Sequence, residues 1–297
     1  MLSDMARQLR DQDVTCSIAQ AAAVVGDWWS LLIVREVARG HRRFEDLLSE
    51  LGISRKILTE RLKLLVDNGV LERRPYQTSP IRHDYVLSEV GSALTPVLIS
   101  MQDWADRWLV GDGTLTGVST PDSPPAQRVH SLVGTPIPHP LTLPASGGGE
   151  LEVVDPSLPT VLFAYPATGM PTPLPPGWNE VPGAVGCTLE NRLFKNVAPQ
   201  FAAEGIAIHG VSTQRQDEQA AFAEMEGIPF PLLSDADLRL AAALRLPTFR
   251  PGQTLRLKRL ILVMDPTRVI RHVIFPVVDI PAAVTEAHQA ARRLTNA

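Results

Sequence analysis

Apolar residues recur at helical spacing from Ser17 to Arg39, at Ile18, Ala21, Ala22, Val25, Trp29, Leu32, Ile33 and Val37. Gly26-Asp27 interrupts the run. This predicts one helix to about Val25 and a second from about Asp27, with Asp27 as N-cap and Gly40 closing the helix. Phe44 to Glu50 repeats the pattern over a shorter span, with Phe44, Leu47 and Leu48 inward. After a tight turn at Leu51-Gly52-Ile53, Ser54 caps a helix running to about Asp67. Its apolar face is Ile57, Leu58, Leu62, Leu65 and Val66, and Ser54, Arg55, Lys56, Thr59 and Lys63 lie mainly opposite. The period then changes to two. Val70 to Arg74 and His83 to Leu87 alternate as strands around a hairpin tip at Pro75 to Arg82. Leu94 to Leu109 returns to helical spacing.

Gly111 to Arg128 has little periodicity and much Gly, Thr, Ser, Pro and Asp, the composition of a linker. Pro136 to Pro144, with alternating apolar residues, opens the next domain. Thr160 to Tyr165 is a continuous apolar run, as in a buried central strand. A helix begins near Cys187 and continues through Phe194 to Ala203. Ile206 to Ser212 is a second buried strand, and Glu218 to Glu226 a further helix. Arg259 to Asp265 and Val269 to Phe275 form an antiparallel pair, and Pro281 to Leu294 is a closing helix. The expected fold is multidomain. A mainly α winged helix-turn-helix occupies 1–110, a linker 111–128, and an α/β thioredoxin-like sandwich 129–297.

The formal net charge of −4 over 297 residues gives no global case for nucleic acid. Locally the balance reverses. Between Ile53 and Arg82 seven cations, Arg55, Lys56, Arg61, Lys63, Arg73, Arg74 and Arg82, face three acids, Glu60, Asp67 and Glu72. Cations there neutralise phosphates, and Ser or Thr hydroxyls reach base edges. Met1 to Val14 is polar and mixed in charge, and no apolar run approaches the ~18 residues of a membrane span. The expectation is a cytoplasmic protein with reduced thiols and no membrane partner.

Cys16-Ser17-Ile18, Gly26-Asp27-Trp28-Trp29, Arg43-Phe44, the run from Ile53 to Leu62 and Tyr85-Val86-Leu87-Ser88 resemble the HxlR-type transcriptional regulators over about residues 14–110. The resemblance implies a homodimer on a double-stranded DNA operator. The helix after Ser54 would enter the major groove and the wing would meet the backbone. Ser54, Arg55, Lys56, Thr59, Lys63 and Arg82 are the expected DNA-facing residues. Cys16 falls where some members carry a sensing cysteine, and a packing role for it stays open.

Cys187 follows Gly186 at a helix start, where unpaired N–H groups and the macrodipole favour thiolate. Tyr165-Pro166, Gly186-Cys187-Thr188, the run Pro229 to Asp235 and Arg259 ahead of Leu262-Val263-Met264-Asp265 look like the peroxiredoxins, of the monomeric bacterioferritin-comigratory type. The resemblance implies that Cys187 is the nucleophile and Arg259 the cation lowering its pKa and orienting peroxide. Thr188, beside the thiol, completes the expected catalytic set. Two positions depart from the pattern. Ala184 stands where a Thr or Ser is usual, and Arg192 where many relatives carry a resolving cysteine. An insert at Ala167 to Val181 offers Thr168 as a substitute hydroxyl if it folds back.

No metal spacing, phosphate loop or cofactor fingerprint is present, so no cofactor is expected. The leading expectation is a redox-responsive regulator. Peroxide would oxidise Cys187 to sulfenic acid, which condenses with Cys16 or a small thiol. A one-cysteine thiol peroxidase carrying a DNA-binding module, and a domain with an inert thiol, remain the alternatives.

Overall fold

A computed structural model describes residues 15–79, 81–110, 116–252 and 254–295. The polar start at residues 1–14 and residues 111–115 of the expected linker lie outside these. Chain contacts divide the protein into Met1–Leu98 and Ile99–Ala297. Among the described residues no single helix is long and apolar enough to cross a membrane.

The first unit contains α1 (Ser17–Val25), α2 (Trp28–Ala38), α3 (Phe44–Leu51), α4 (Arg55–Asp67), β1 (Leu71–Thr78), β2 (Ile81–Leu87) and a short α5 (Glu89–Ser92). Local caps set its helix starts. Asp27 Oδ1 accepts from the N–H groups of Trp29 and Ser30, and Ser54 Oγ from that of Ile57. Gly52 closes α3 in the left-handed region, the conformation that lets the chain turn sharply into α4. Ile33, Val34, Leu47, Leu58, Leu62 and Leu65 form the core. β1 and β2 pair antiparallel as the wing. The strands run on into the expected tip, to Thr78 and Ile81, with a register shift between Pro75 and Gln77. Pro75 has no N–H to give the ladder, and the bulge accommodates it without ending the strand.

α6 (Thr95–Ala105) continues into a π-helical turn at Asp106–Val110. In the second unit α7 (Pro124–His130) begins inside the span read as linker and runs two residues past it. Ser123 caps it, and Ala126 and Val129 are buried beneath it. A proline-rich segment therefore supplies core as well as connection.

The remaining elements are β3 (Thr142–Pro144), β4 (Glu150–Glu152), β5 (Thr160–Ala164), α8 (Cys187–Ala203), β6 (Ala207–Ser212), α9 (Gln216–Glu226), β7 (Leu232–Ser234), α10 (Arg239–Leu244), β8 (Thr248–Phe249), β9 (Arg256–Leu257), β10 (Leu260–Met264), β11 (Ile270–Ile274) and α11 (Ile280–Thr295). A five-stranded mixed sheet runs β11-β10-β5-β6-β7, with β5, β6 and β7 parallel and β10 antiparallel to both its neighbours. Alternation sends Val161, Phe163, Ile261 and Val263 to one face, against Phe194 and Phe201 of α8, Phe222 of α9 and the alanines of α11. Leu162, Ala164, Leu260 and Leu262 meet α7 and α10 on the other. This is the thioredoxin-like sandwich, and its two covered faces explain why β5 and β10 read as unbroken apolar runs.

Asp235, at the end of the Pro-Leu-Leu-Ser-Asp run, is fully buried and accepts from the N–H groups of Leu240 and Ala241 at 2.9 Å each. Burial pushes its carboxyl up to about 7, against the pull of those amides. Asp235→Ala orphans both donors at about 1–3 kcal/mol for each unsatisfied group. Urea unfolding should show a clearly lower midpoint, with a smaller loss in Asp235→Asn, which keeps one acceptor. An unchanged midpoint in Asp235→Ala would show that α10 starts without this cap.

Candidate functional site

α8 begins at Cys187 itself, with Gly186 at φ +103 as the preceding residue. That φ strains any residue other than glycine, and a Cβ there would meet the Ile280 Cδ1 methyl at 2.8 Å, which can shift aside. The sulfur is 3% exposed. Its S–H points to the Ala184 carbonyl at 3.5 Å, Arg259 Nη2 lies 3.7 Å away, and the Ala167 N–H donates toward it. Thr188 half-surfaces on the next helical position and is not among these polar neighbours. So the structure brings Cys187 and Arg259 together and leaves Thr188 beside them.

Glu190, one helical turn on, is fully buried and forms an ion pair with Arg259 Nη1. Its other oxygen, Oε1, has no hydrogen-bond partner. Burial pushes its carboxyl up to about 7, with Arg259 pulling the other way. Arg259 also donates from Nη2 to the Val185 carbonyl at 2.9 Å. One guanidinium thus serves two acids. Glu190 is a site residue that the sequence did not mark out. Its i, i+3 spacing from Cys187 was the available signal, because residues so spaced share a helix face.

The expectation of a thiol lowered by the helix terminus needs correcting. Burial raises the Cys187 thiol, and Arg259 and the Ala167 amide oppose this without overcoming it, while Glu190 adds repulsion. In this closed arrangement burial works against the thiolate. The insert after Pro166 does fold back, but the group that reaches the sulfur is the Ala167 amide. Thr168 gives both its N–H and its hydroxyl to Gln214 Oε1, at 2.8 and 3.2 Å. Arg192, at the position where a resolving cysteine is common, is paired with Glu226 at 2.7 Å.

In the first unit Ser54, Arg55, Lys56, Thr59, Lys63 and Arg82 are all exposed. Arg55 makes a bidentate pair with Glu45 at 2.8 Å, both side chains about two-thirds exposed. Thr59 donates its hydroxyl proton to the Arg55 carbonyl, leaving its lone pairs as acceptors. Arg61, counted in the local surplus, is instead turned to Asp27 at 3.2 Å. Cys16 is an exposed free thiol at the start of α1, and Cys187 is also free. His41 lies with Glu36 and Glu50, donor atoms within 4.8 Å. Glu36 is buried and already holds Arg35 and Arg39, so the group reads as an ion-pair cluster. A cavity of about 670 Å³ lined by Val154, Pro199, His209 and Phe230 touches none of the expected site residues.

Fold and site together define a winged helix-turn-helix protein carrying a peroxiredoxin-like domain. The HxlR-like helix-turn-helix family matches residues 24–112, and the AhpC/TSA family matches residues 181–273. An uncharacterised HTH-type transcriptional regulator of Mycobacterium tuberculosis (strain H37Rv) is 37% identical over 118 residues, 40% of this chain and 69% of that one. The HTH-type transcriptional regulator YodB of Bacillus subtilis is 37% identical over 89 residues, 30% of this chain and 80% of that one. The crystal structure of the peroxidoxin BcpB from Mycobacterium tuberculosis aligns with 29% identity and a TM-score of 0.43, covering 52% of this chain and 92% of that one. The chain belongs to the HxlR-like helix-turn-helix family, with an AhpC/TSA-family domain following in the same polypeptide.

Glu190 and the thiol compete for Arg259, which fixes the sign of two substitutions. Glu190→Gln removes a negative charge that raises the Cys187 pKa, so the pKa falls and more thiolate is present at pH 7. Alkylation by iodoacetamide should quicken several-fold, about tenfold per pKa unit. Arg259→Gln should slow it by a similar factor and move the midpoint of its pH profile upward. A Glu190→Gln rate at or below the parent's would sink this division of charge.

Proposed function

We propose that the protein is a redox-responsive transcriptional regulator of the cytoplasm, whose winged helix binds double-stranded DNA and whose peroxiredoxin-like domain senses peroxide through Cys187. The observation that carries this reading is the thiol held against Arg259 with no local cysteine to reset it. The sulfur attacks the near oxygen of a hydroperoxide; an S–O bond forms as the O–O bond breaks. The thiol proton leaves with the departing oxygen as water or alcohol, sulfur being oxidised and peroxide reduced. A small thiol then condenses with the sulfenic acid, releasing water, and a second thiol restores Cys187 by exchange. Cys16 is the protein's own candidate for the first of these thiols.

α4 supports the DNA-binding half. Leu58, Leu62 and Leu65 anchor it in the core while Arg55, Lys56, Thr59 and Lys63 stay exposed. Water screens the exposed Arg55–Glu45 pair, so a phosphate or base edge displaces Glu45 at little cost. Homodimerisation has support in both units. Ile18 and Trp28 stand exposed in the first, and Met101, Trp104 and Trp108 in the second. Apolar faces of this kind mark association surfaces.

The alternative, a one-cysteine thiol peroxidase with a DNA-binding module, draws on the same Cys187–Arg259 pair. Turnover decides between the two. Fast peroxide consumption with an external thiol, lost in Cys187→Ser, and no change in DNA affinity on oxidation, would favour the enzyme. For the regulator, operator DNA selected from a random pool should bind reduced and peroxide-treated protein with different affinities, and Cys187→Ser should abolish that difference. Arg55→Ala should weaken binding about tenfold and reduce the salt slope by about one. Unchanged binding in Arg55→Ala would remove α4 from the interface.

A further inference from the structure

Residues 116–119 follow the helix that ends at Val110 and come before α7. They are built into the redox centre of the second unit. The Gly117 N–H donates to the Pro182 carbonyl at 2.8 Å, and the Thr116 hydroxyl to the same oxygen at 3.3 Å. Gly117 and Gly183 meet backbone to backbone. A Cβ on Gly117 would lie 2.9 Å from Gly183 C, and one on Gly183, where φ is +78, would lie 2.8 Å from Gly117 C. Two residues on, Lys258 is 1% exposed and donates from Nζ to Ser119 Oγ at 3.0 Å and toward the Val118 carbonyl at 3.4 Å. Its chain neighbour is Arg259.

The loop between Pro182 and Cys187 shares its carbonyls between two clients. Pro182 accepts from residues 116 and 117, Ala184 accepts the Cys187 S–H, and Val185 accepts from Arg259. Lys258-Arg259 does the same with side chains, one on each client. The thiol and residues 116–119 therefore hang on a single four-residue loop and a single dipeptide.

We propose that residues 116–119 are a strap that closes the redox centre over the reduced thiol and is released when Cys187 is oxidised. This rests on the redox reading above and names how that site is regulated. Oxidation by a hydroperoxide adds an oxygen to the sulfur of a residue only 3% exposed, where close packing resists added volume, and removes the S–H that holds Ala184. The loop moves to admit the oxygen, and Pro182 leaves Gly117. The contact that gives way is a glycine seam, with Val118 Cγ1 against Gly183 and two hydrogen bonds to one carbonyl. The strap then has an outlet. Ser123 receives it, donating to Thr120 and capping α7. From α7, Arg128 grips Asp106 with two hydrogen bonds at 3.1 and 2.8 Å. Asp106 lies in the helical turn that extends α6, so strap movement reaches the helix leading back to the winged-helix unit.

Amide hydrogen exchange on the full chain, read by mass spectrometry with the oxidation state of Cys187 verified in the same sample, tests this. Peptides spanning 116–119 should exchange at least tenfold faster after hydrogen peroxide treatment, and Cys187→Ser should show no such change. Gly117→Val should open the strap in the reduced protein, giving fast exchange there, several-fold faster alkylation of Cys187 and the DNA affinity of the oxidised parent. Lys258→Met, which loosens the other end and leaves the loop intact, should move the same readouts in the same direction if Gly117→Val fails to fold. Unchanged exchange at 116–119 in verified oxidised protein overturns the strap, even where DNA affinity responds to peroxide. Faster exchange at 116–119 without any change in DNA affinity upholds the strap and overturns the regulatory reading.

Discussion

A single buried guanidinium, that of Arg259, faces both the Glu190 carboxylate and the Cys187 sulfur, and the site turns on how its charge is divided. A buried cation without a partner costs several kcal/mol, so Arg259 must be paired whatever the state of the thiol. Glu190 does this in the reduced protein, which lets Cys187 keep its proton and offer it to Ala184. The pair is weak grounds for stability, since burial costs both ions much of what their attraction returns. Its effect is positional. It holds the guanidinium 3.7 Å from the sulfur before any anion has formed there.

The first unit uses the same chemistry in the opposite setting. Arg55 and Glu45 make two hydrogen bonds where Arg259 and Glu190 make one, but water surrounds them and screens the attraction. An exposed pair of this kind holds a side chain ready and lets it go. Arg61, half-buried against Asp27 at the start of α2, is held in place. Burial thus sorts the arginines into those that build the fold, those that shape the thiol, and those left for a partner.

Most elements could be read from local pattern because local physics makes them. Asp27 and Ser54 cap helices through contacts two or three residues away, and amphipathic spacing fixed which face of α4 turns inward. β5 and β10 read as buried runs because the sheet is covered on both faces. The wing ran longer than expected because a register shift absorbs Pro75, and α7 emerged from a stretch whose composition suggested only a connection. Composition reports backbone preference, whereas Ala126 and Val129 are buried by strands and helices far along the chain.

The site divides along the same line. Cys187 at a helix start, preceded by a glycine, is a local feature, and Arg259 could be matched to it by resemblance. Glu190 was visible as a neighbour on the helix face, but its burial and its hold on Arg259 were not. The Ala167 amide, the commitment of Thr168 to Gln214 and the seam between Gly117 and Gly183 join residues that are tens of positions apart and carry no side-chain signature. The sequence alone determined the two domains, their order and the cysteine at the start of α8. The tertiary structure decided that this thiol is buried with its pKa pushed up, because desolvation and the sharing of one guanidinium depend on what the fold packs around it.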